Sequence, residues 1–187
     1  MEANKKNKLI VSKKFLSGKN ISLKPLEMND CTNKYVSWLN NPNVNEYLET
    51  RWQKQNMETI KAFVLNVQES ENNYLFAIYE NQSNLHIGNI KLGPINFHHL
   101  YADISYFIGE EKCWGKGFIS EAIKLIVNIG FNVFNLHRIQ AGLYATNIAS
   151  AKALLNAGFN LESISYKQLK NKNNEWEDHH WYVKFNE

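Results

Sequence analysis

The stretch "CWGKGFISEAIKLI", Cys113–Ile126, decides how this chain is read. A helical pattern starts at Phe118. Ile119, Ala122, Ile123 and Ile126 recur on one stripe, and Ser120, Lys124 and Asn128 lie opposite at steps of four. A helix start leaves about four backbone N–H groups unpaired, and Ser, Thr, Asp or Asn normally caps them. Trp114, Gly115, Lys116 and Gly117 stand there instead, and none has a side chain suited to capping. The amides therefore stay available. Glycine allows close approach to the backbone, and the helix dipole favours an anion. A phosphate or pyrophosphate suits such a site, with Lys116 adding charge nearby. Two glycines alone fit equally well a strand-to-helix turn that binds nothing. A P-loop would need Ser or Thr after its Gly-Lys, and a dinucleotide loop would need glycine where Ser120 stands.

Working outward, "NISLKPL" (20–26) alternates as a first strand. Helices are expected over 30–40 and 56–68. A strand, turn, strand hairpin covers 74–80 and 85–93, and a further strand covers 101–109. The long helix runs to about Phe134. A strand over 137–145, a helix over 147–159 stopped at Gly158, and strands over 161–169 and 176–185 complete the order. The central strand-helix-strand unit implies parallel neighbours with a right-handed crossover. Hairpins on both sides imply antiparallel pairs. The expected fold is α/β (α+β): a single mixed, mostly antiparallel sheet of six to seven strands with helices on both faces.

The chain has 187 residues, 44% hydrophobic and 21% charged, which fits one packed domain. Net charge is only +3. Lys5, Lys6, Lys8, Lys13 and Lys14 concentrate in the head, so residues 1–17 read as a flexible basic segment and 18–187 as the domain. Neither a nucleic-acid face nor a membrane partner is expected, since no apolar run approaches about 18 residues. Cys31 and Cys113 stand far apart, outside metal-ligand spacing, and read as reduced thiols of a cytoplasmic protein.

The stretch from Ile108 to Phe159 resembles the GNAT superfamily of acyl-CoA-dependent N-acetyltransferases. "KCWGKG" (112–117) is similar to the family's pyrophosphate loop, Arg/Gln-x-x-Gly-x-Gly/Ala, with lysine at the first position. "WGKGFISEAI", with "N-x-x-S-x-x-x-L-x-x-x-GF" downstream from Asn147, looks like the branch that includes the ribosomal-protein-alanine (Rim-type) acetyltransferases. The resemblance implies the GNAT fold, acetyl-CoA as acetyl donor and no metal. It implies that backbone groups of Tyr106, Phe107 and Ile108 pair with the pantetheine arm as an added strand would. It further implies that Lys112, Cys113, Trp114, Gly115, Lys116, Gly117 and Phe118 form the pyrophosphate loop. Asn147 would bond the pantetheine, Ser150 would lie near the thioester sulfur, and Lys152 would reach the adenosine phosphates. Many family members carry an acid tyrosine four residues before the glycine of the GF pair. Leu154 stands there, which leaves the task to Ser150 or a water.

The reaction implied is attack by a neutral primary amine on the acetyl thioester. A lysine-like amine costs about 4–5 kcal/mol to deprotonate at pH 7, and an α-amine about 1–1.5. A proton acceptor therefore matters most for a basic amine. Asp103, in "ADISY", is the first candidate and His86 the second. His98, His99, His179 and His180 read as surface or strand residues, each adjacent pair pointing to opposite faces.

For the acceptor, Trp38, Arg51, Trp52, Asn89 and Lys91 are the binding candidates. Aromatic faces with Arg51 suit a nucleotide-linked amino sugar. Protein N-termini, antibiotics and polyamines are the alternatives, and Glu46 and Glu49 keep a polyamine open. A non-catalytic acyl-CoA sensor is the alternative of another class. The two C-terminal strands, read as edges, offer a route to a homodimer.

Overall fold

The computed structural model describes residues 15–186. The lysines of the head, residues 5–14, lie outside the described residues. Among the described residues, eight strands form one sheet: β1 (Leu16–Ser17), β2 (Ile21–Pro25), β3 (Tyr74–Glu80), β4 (Leu85–Asn96), β5 (Tyr101–Ile108), β6 (Arg138–Tyr144), β7 (Asn160–Lys170) and β8 (Trp176–Phe185). Their spatial order is β1-β2-β3-β4-β5-β6-β8-β7. Among the described strands, only β5 and β6 pair in parallel. The strand beyond the expected six to seven is β1, whose two residues pair with Leu23 and Ser22. Two residues are too short to show alternation. A second correction concerns the C-terminal pair. β8 lies inside, between β6 and β7, so of those two strands only β7 is an edge.

Among the described residues, five α-helices accompany the sheet: α1 (Asn33–Asn40), α2 (Pro42–Asn45), α3 (Met57–Glu69), α4 (Phe118–Asn132) and α5 (Ile148–Asn156). Helix α1 starts later than the pattern suggests because Thr32 caps it, accepting the Tyr35 N–H. The unexpected α2 has Asn41 as its cap and Pro42 in its first turn, a favoured start.

Each face of the sheet has its own core. Ala122, Ile123, Ile126 and Ile129 of α4 pack on Ile90, Ala102, Ile104, Ile139 and Ala141. Tyr35, Trp38, Ile60 and Val64 of α1 and α3 cover the other face, with Ala77 and Phe107. Each fully buried isoleucine contributes about 1.5–3 kcal/mol relative to exposure. This packing fixes α4 against the middle of the sheet, and with it the glycine loop at its start.

The functional consequence lies between the parallel strands. Pairing of β5 with β6 covers three positions, Tyr101↔Arg138, Ala102↔Ile139 and Asp103↔Gln140. Beyond these, residues 104–108 and 141–144 run on without pairing to each other, so the sheet forks. Alternation sends Ala102, Ile104, Ile139 and Ala141 toward α4. Asp103, Ser105, Gln140 and Gly142 face the other side. Ser105 and Gly142 are exposed although both lie on central strands, so the outer face of the fork is open.

Candidate active site

Gly117 caps α4 in a left-handed conformation, φ 79°, and gives no side-chain cap hydrogen bond. Gly115 has φ 72°, and a Cβ added at either glycine would meet nothing within 4 Å among the described residues. The space above the helix start is therefore open, and its amides are uncapped. Lys116 and Lys112 are exposed beside it, while Cys113 and Phe118 turn into the core. Trp114 donates its indole N–H to the Ile108 carbonyl at 2.8 Å. That carbonyl, expected to serve a ligand, already accepts one hydrogen bond from the indole.

The loop is tied to α1 through two glutamates that the sequence did not single out. Trp38 donates to Glu110 Oε1 at 3.1 Å, and Lys34 pairs with the same oxygen at 3.0 Å. Burial raises the Glu110 pKa, but Lys34 and the indole outweigh it and hold the carboxyl below its usual range. Glu111 accepts from Asn41 at 2.7 Å.

On the α4 side of the fork, the Tyr106 and Ser150 hydroxyls lie 2.8 Å apart. Asn147 caps α5 by accepting the Ser150 N–H. Burial pushes the Tyr106 phenol well above its usual pKa, so it keeps its proton. Lys152 is exposed on the same helix.

On the outer side, Asp103 marks the crotch of the fork. Its Oδ1 is buried and has no hydrogen-bond partner among the described residues. Burial lowers the Lys91 ammonium, and Asp103 opposes that shift. His86 is elsewhere. It stacks on Tyr79 and meets Trp38 edge-on, with Nε2 bonded to Gly88 O and Asn89 Oδ1. Gly88 pairs with Ile108, five residues past Asp103 on β5, so at about 3.3 Å per residue His86 and Asp103 are too far apart to serve one amine.

The acceptor candidates separate. Trp38 and Asn89 are 4% and 2% exposed, so both are core residues and do not line the cleft. Arg51 turns inward, donating to the Tyr144 hydroxyl at 2.7 Å and to the Lys170 and Glu46 carbonyls. Its guanidinium carbon lies 4.5 Å from the Trp52 ring centroid and 4.7 Å from that of Tyr144. It is therefore not a free phosphate ligand. Tyr144 donates to Glu49. Beside this network is a cavity of about 70 Å³ whose lining includes Glu46, Tyr47, Tyr144, Lys172 and Glu177. The histidine pair at 98–99 also departs from expectation: the two residues lie in a turn with ring centroids 4.7 Å apart, not on opposite faces of a strand.

The acetyltransferase (GNAT) domain model matches residues 20–160. The chain belongs to the GNAT superfamily. It is 30% identical over 175 residues to YjcK of Bacillus subtilis (strain 168), named a probable N-acetyltransferase, covering 88% of this chain and 93% of that one. The fold is similar to the spermidine N-acetyltransferase of Vibrio cholerae, solved with CoA and spermine. There the TM-score is 0.79 at 20% identity, over 90% of this chain and 96% of that one. It is also similar to RimL, a ribosomal L7/L12 alpha-N-protein acetyltransferase solved with CoA. There the TM-score is 0.82 at 14% identity, over 92% and 98%. No described helix is long and apolar enough to cross a membrane.

As a GNAT enzyme, the protein is an acetyl-CoA-dependent N-acetyltransferase. The open, uncapped start of α4 fits a pyrophosphate, and the fork beside β5 fits a narrow thioester arm. Acetyl-CoA supplies the activated acetyl group. The resemblance in sequence implies a role only for the Tyr106 backbone. Its side chain is what meets Ser150, and no local pattern could reveal a partner 44 residues away.

Proposed function

We propose that this N-acetyltransferase acetylates a primary amine of a small polyamine. The observation that carries this reading is the charge of the outer face. Glu46, Glu49 and Glu177 gather there, whereas Arg51 is engaged internally by Tyr144 and two carbonyls. Glu46 already holds an ammonium, that of Lys172, at 2.7 Å. A second ammonium could exchange with it. The cavity of about 70 Å³ has room for an amine head beside these carboxylates. A nucleotide-linked sugar finds no free guanidinium here. The spermidine enzyme among the structural neighbours supports the same direction. Buried, unbridged Cys31 and Cys113 fit a reducing, cytoplasmic setting.

In this reading the start of α4 and Asn147 hold the CoA end. Asp103, with its unpartnered oxygen, attracts the ammonium to the fork. Ser150, backed by Tyr106, gives a proton to the departing sulfur.

The test is thiol release from acetyl-CoA with spermidine, spermine, an alanine-terminated peptide and a nucleotide-linked amino sugar. Spermidine or spermine should give a kcat/KM at least about tenfold above the others. Faster turnover of the peptide or the sugar would overturn the acceptor class.

A further inference from the structure

We propose that His179 is the proton acceptor for the attacking amine, held by Gln168 with its Nε2 lone pair over Gly142 at the outer mouth of the fork. The proposal rests on the outer face being the acceptor side.

His179 lies on β8, paired with Tyr144 of β6 and diagonal to Gly142. Tyr182 belongs to the core under α4, so alternation puts Trp181 and His179 on the outer face and His180 on the other. Gln168 Oε1 lies 2.9 Å from His179 Nδ1. An amide oxygen only accepts, so Nδ1 carries the hydrogen and Nε2 keeps its lone pair. Nε2 makes no hydrogen bond among the described residues. Trp181, with ring centroids 4.3 Å away, fixes the plane of the imidazole.

Gly142 supplies an independent observation. A Cβ there would lie 2.1 Å from His179 Nε2 and 2.7 Å from Cε1. The ring therefore occupies the place of a side chain on the open limb of the fork, two residues past the last β5–β6 pair. At about 3.3 Å per residue this is roughly 7 Å beyond Asp103, on the same face. Tyr106 and Ser150 border the same fork from the α4 side. A proton acceptor on one face and a proton donor on the other suit an amine entering and a thiol leaving across the sheet.

The charge state agrees. Burial lowers the His179 pKa, Glu49 opposes this, and His180 reinforces it, so the ring is neutral at pH 7. Tyr144, Gln168 and Trp181, which face it from β6, β7 and β8, carry no charge at that pH. His179 takes the proton lost by the amine nitrogen as the N–C bond forms and the C–S bond breaks. Ser150 delivers a proton to sulfur. The imidazolium returns its proton to water, and Ser150 regains one through Tyr106.

Two experiments on the full chain decide it. Nitrogen-15 NMR of the histidines, assigned with His179→Gln, should show the Nδ1–H tautomer at pH 7 and an imidazole titrating below 6.5. An Nε2–H tautomer or an imidazolium at pH 7 overturns the proposal whatever the acceptor. In acetyl transfer to spermidine between pH 5.5 and 9, His179→Gln should lose about 100-fold in kcat/KM and the acidic limb of the profile. Gly142→Ala, whose methyl displaces the ring, should move the same way. His180→Gln and Asp103→Asn should keep the limb, and CoA affinity should not change in any of the four. A His179→Gln enzyme within threefold of the parent, with the same profile, or loss of the limb in Asp103→Asn instead, overturns it. A parent enzyme inert toward spermidine sinks the polyamine reading, and the NMR outcome still decides His179.

Discussion

The Tyr106 hydroxyl lies 2.8 Å from Ser150 Oγ, joining the inner limb of the fork to the first turn of α5. Leu154 is buried where many GNAT enzymes carry an acid tyrosine, and in the proposed reaction the Tyr106–Ser150 pair takes that task. Protonating a thiolate with pKa near 8.5 is worth about 2 kcal/mol at pH 7. Ser150→Ala should therefore lower kcat by about 10- to 30-fold. Tyr106→Phe should lower it less, and the double variant should match Ser150→Ala, since the two act in series. Additive losses in steady-state thiol release would show that the hydroxyls act separately.

Gly117 is left-handed, and the space above it is open. A β-branched residue there meets backbone strain and projects methyl groups over the uncapped amides. Gly117→Val should weaken CoA at least about 100-fold by calorimetric titration, with little change in the melting of the unliganded protein beyond the strain. Undiminished affinity would remove the start of α4 as the phosphate site.

Glu110 fastens the loop to α1 through Trp38 and Lys34. Losing a partner of a partly buried charged hydrogen bond costs about 1.5–3 kcal/mol. Trp38→Phe should therefore lower the melting temperature. Glu110→Gln should weaken CoA several-fold while leaving the KM for the amine nearly unchanged. A change confined to the amine KM would return Trp38 to the acceptor pocket.

His86 bears on stability. Burial holds its pKa below 6.5, so between that value and its folded pKa the unfolded chain binds a proton that the native imidazole refuses. The contribution is present above about pH 6.5 and is lost on acidification below it. Denaturant titrations from pH 7 to 5 should show stability falling, with a shallower slope in His86→Gln. An equal slope would mean that other groups carry the acid sensitivity.

Arg51 is a structural cation, bonded to Tyr144 and two carbonyls. Arg51→Met should cost about 1–3 kcal/mol in urea unfolding and raise the amine KM through loosening of Glu49 and Tyr144. A variant as stable as the parent, with only the KM raised, would assign Arg51 to direct acceptor contact.

Much of the fold was legible because its signals are local. The alternation in "NISLKPL" and the stripe on α4 each act within a few residues. Strand β1 was not legible, because two residues carry no period. Trp38 and Arg51 misled for another reason. An aromatic or a guanidinium has the same composition whether it faces a ligand or a neighbouring carboxylate, and only packing distinguishes the two. His179 was equally hidden, since a histidine pair on a strand says nothing of which member finds a glycine across the sheet.

By itself the sequence determined the uncapped helix start, the downstream motif from Asn147 and the family they mark, because both are written in contiguous residues. Only the tertiary structure decided what surrounds the fork: Tyr106 on Ser150, His179 over Gly142, and Arg51 turned away from the cleft. Those contacts join residues on different strands and helices. They exist because two parallel strands separate after Asp103, and the sheet holds each side chain on one face of the gap.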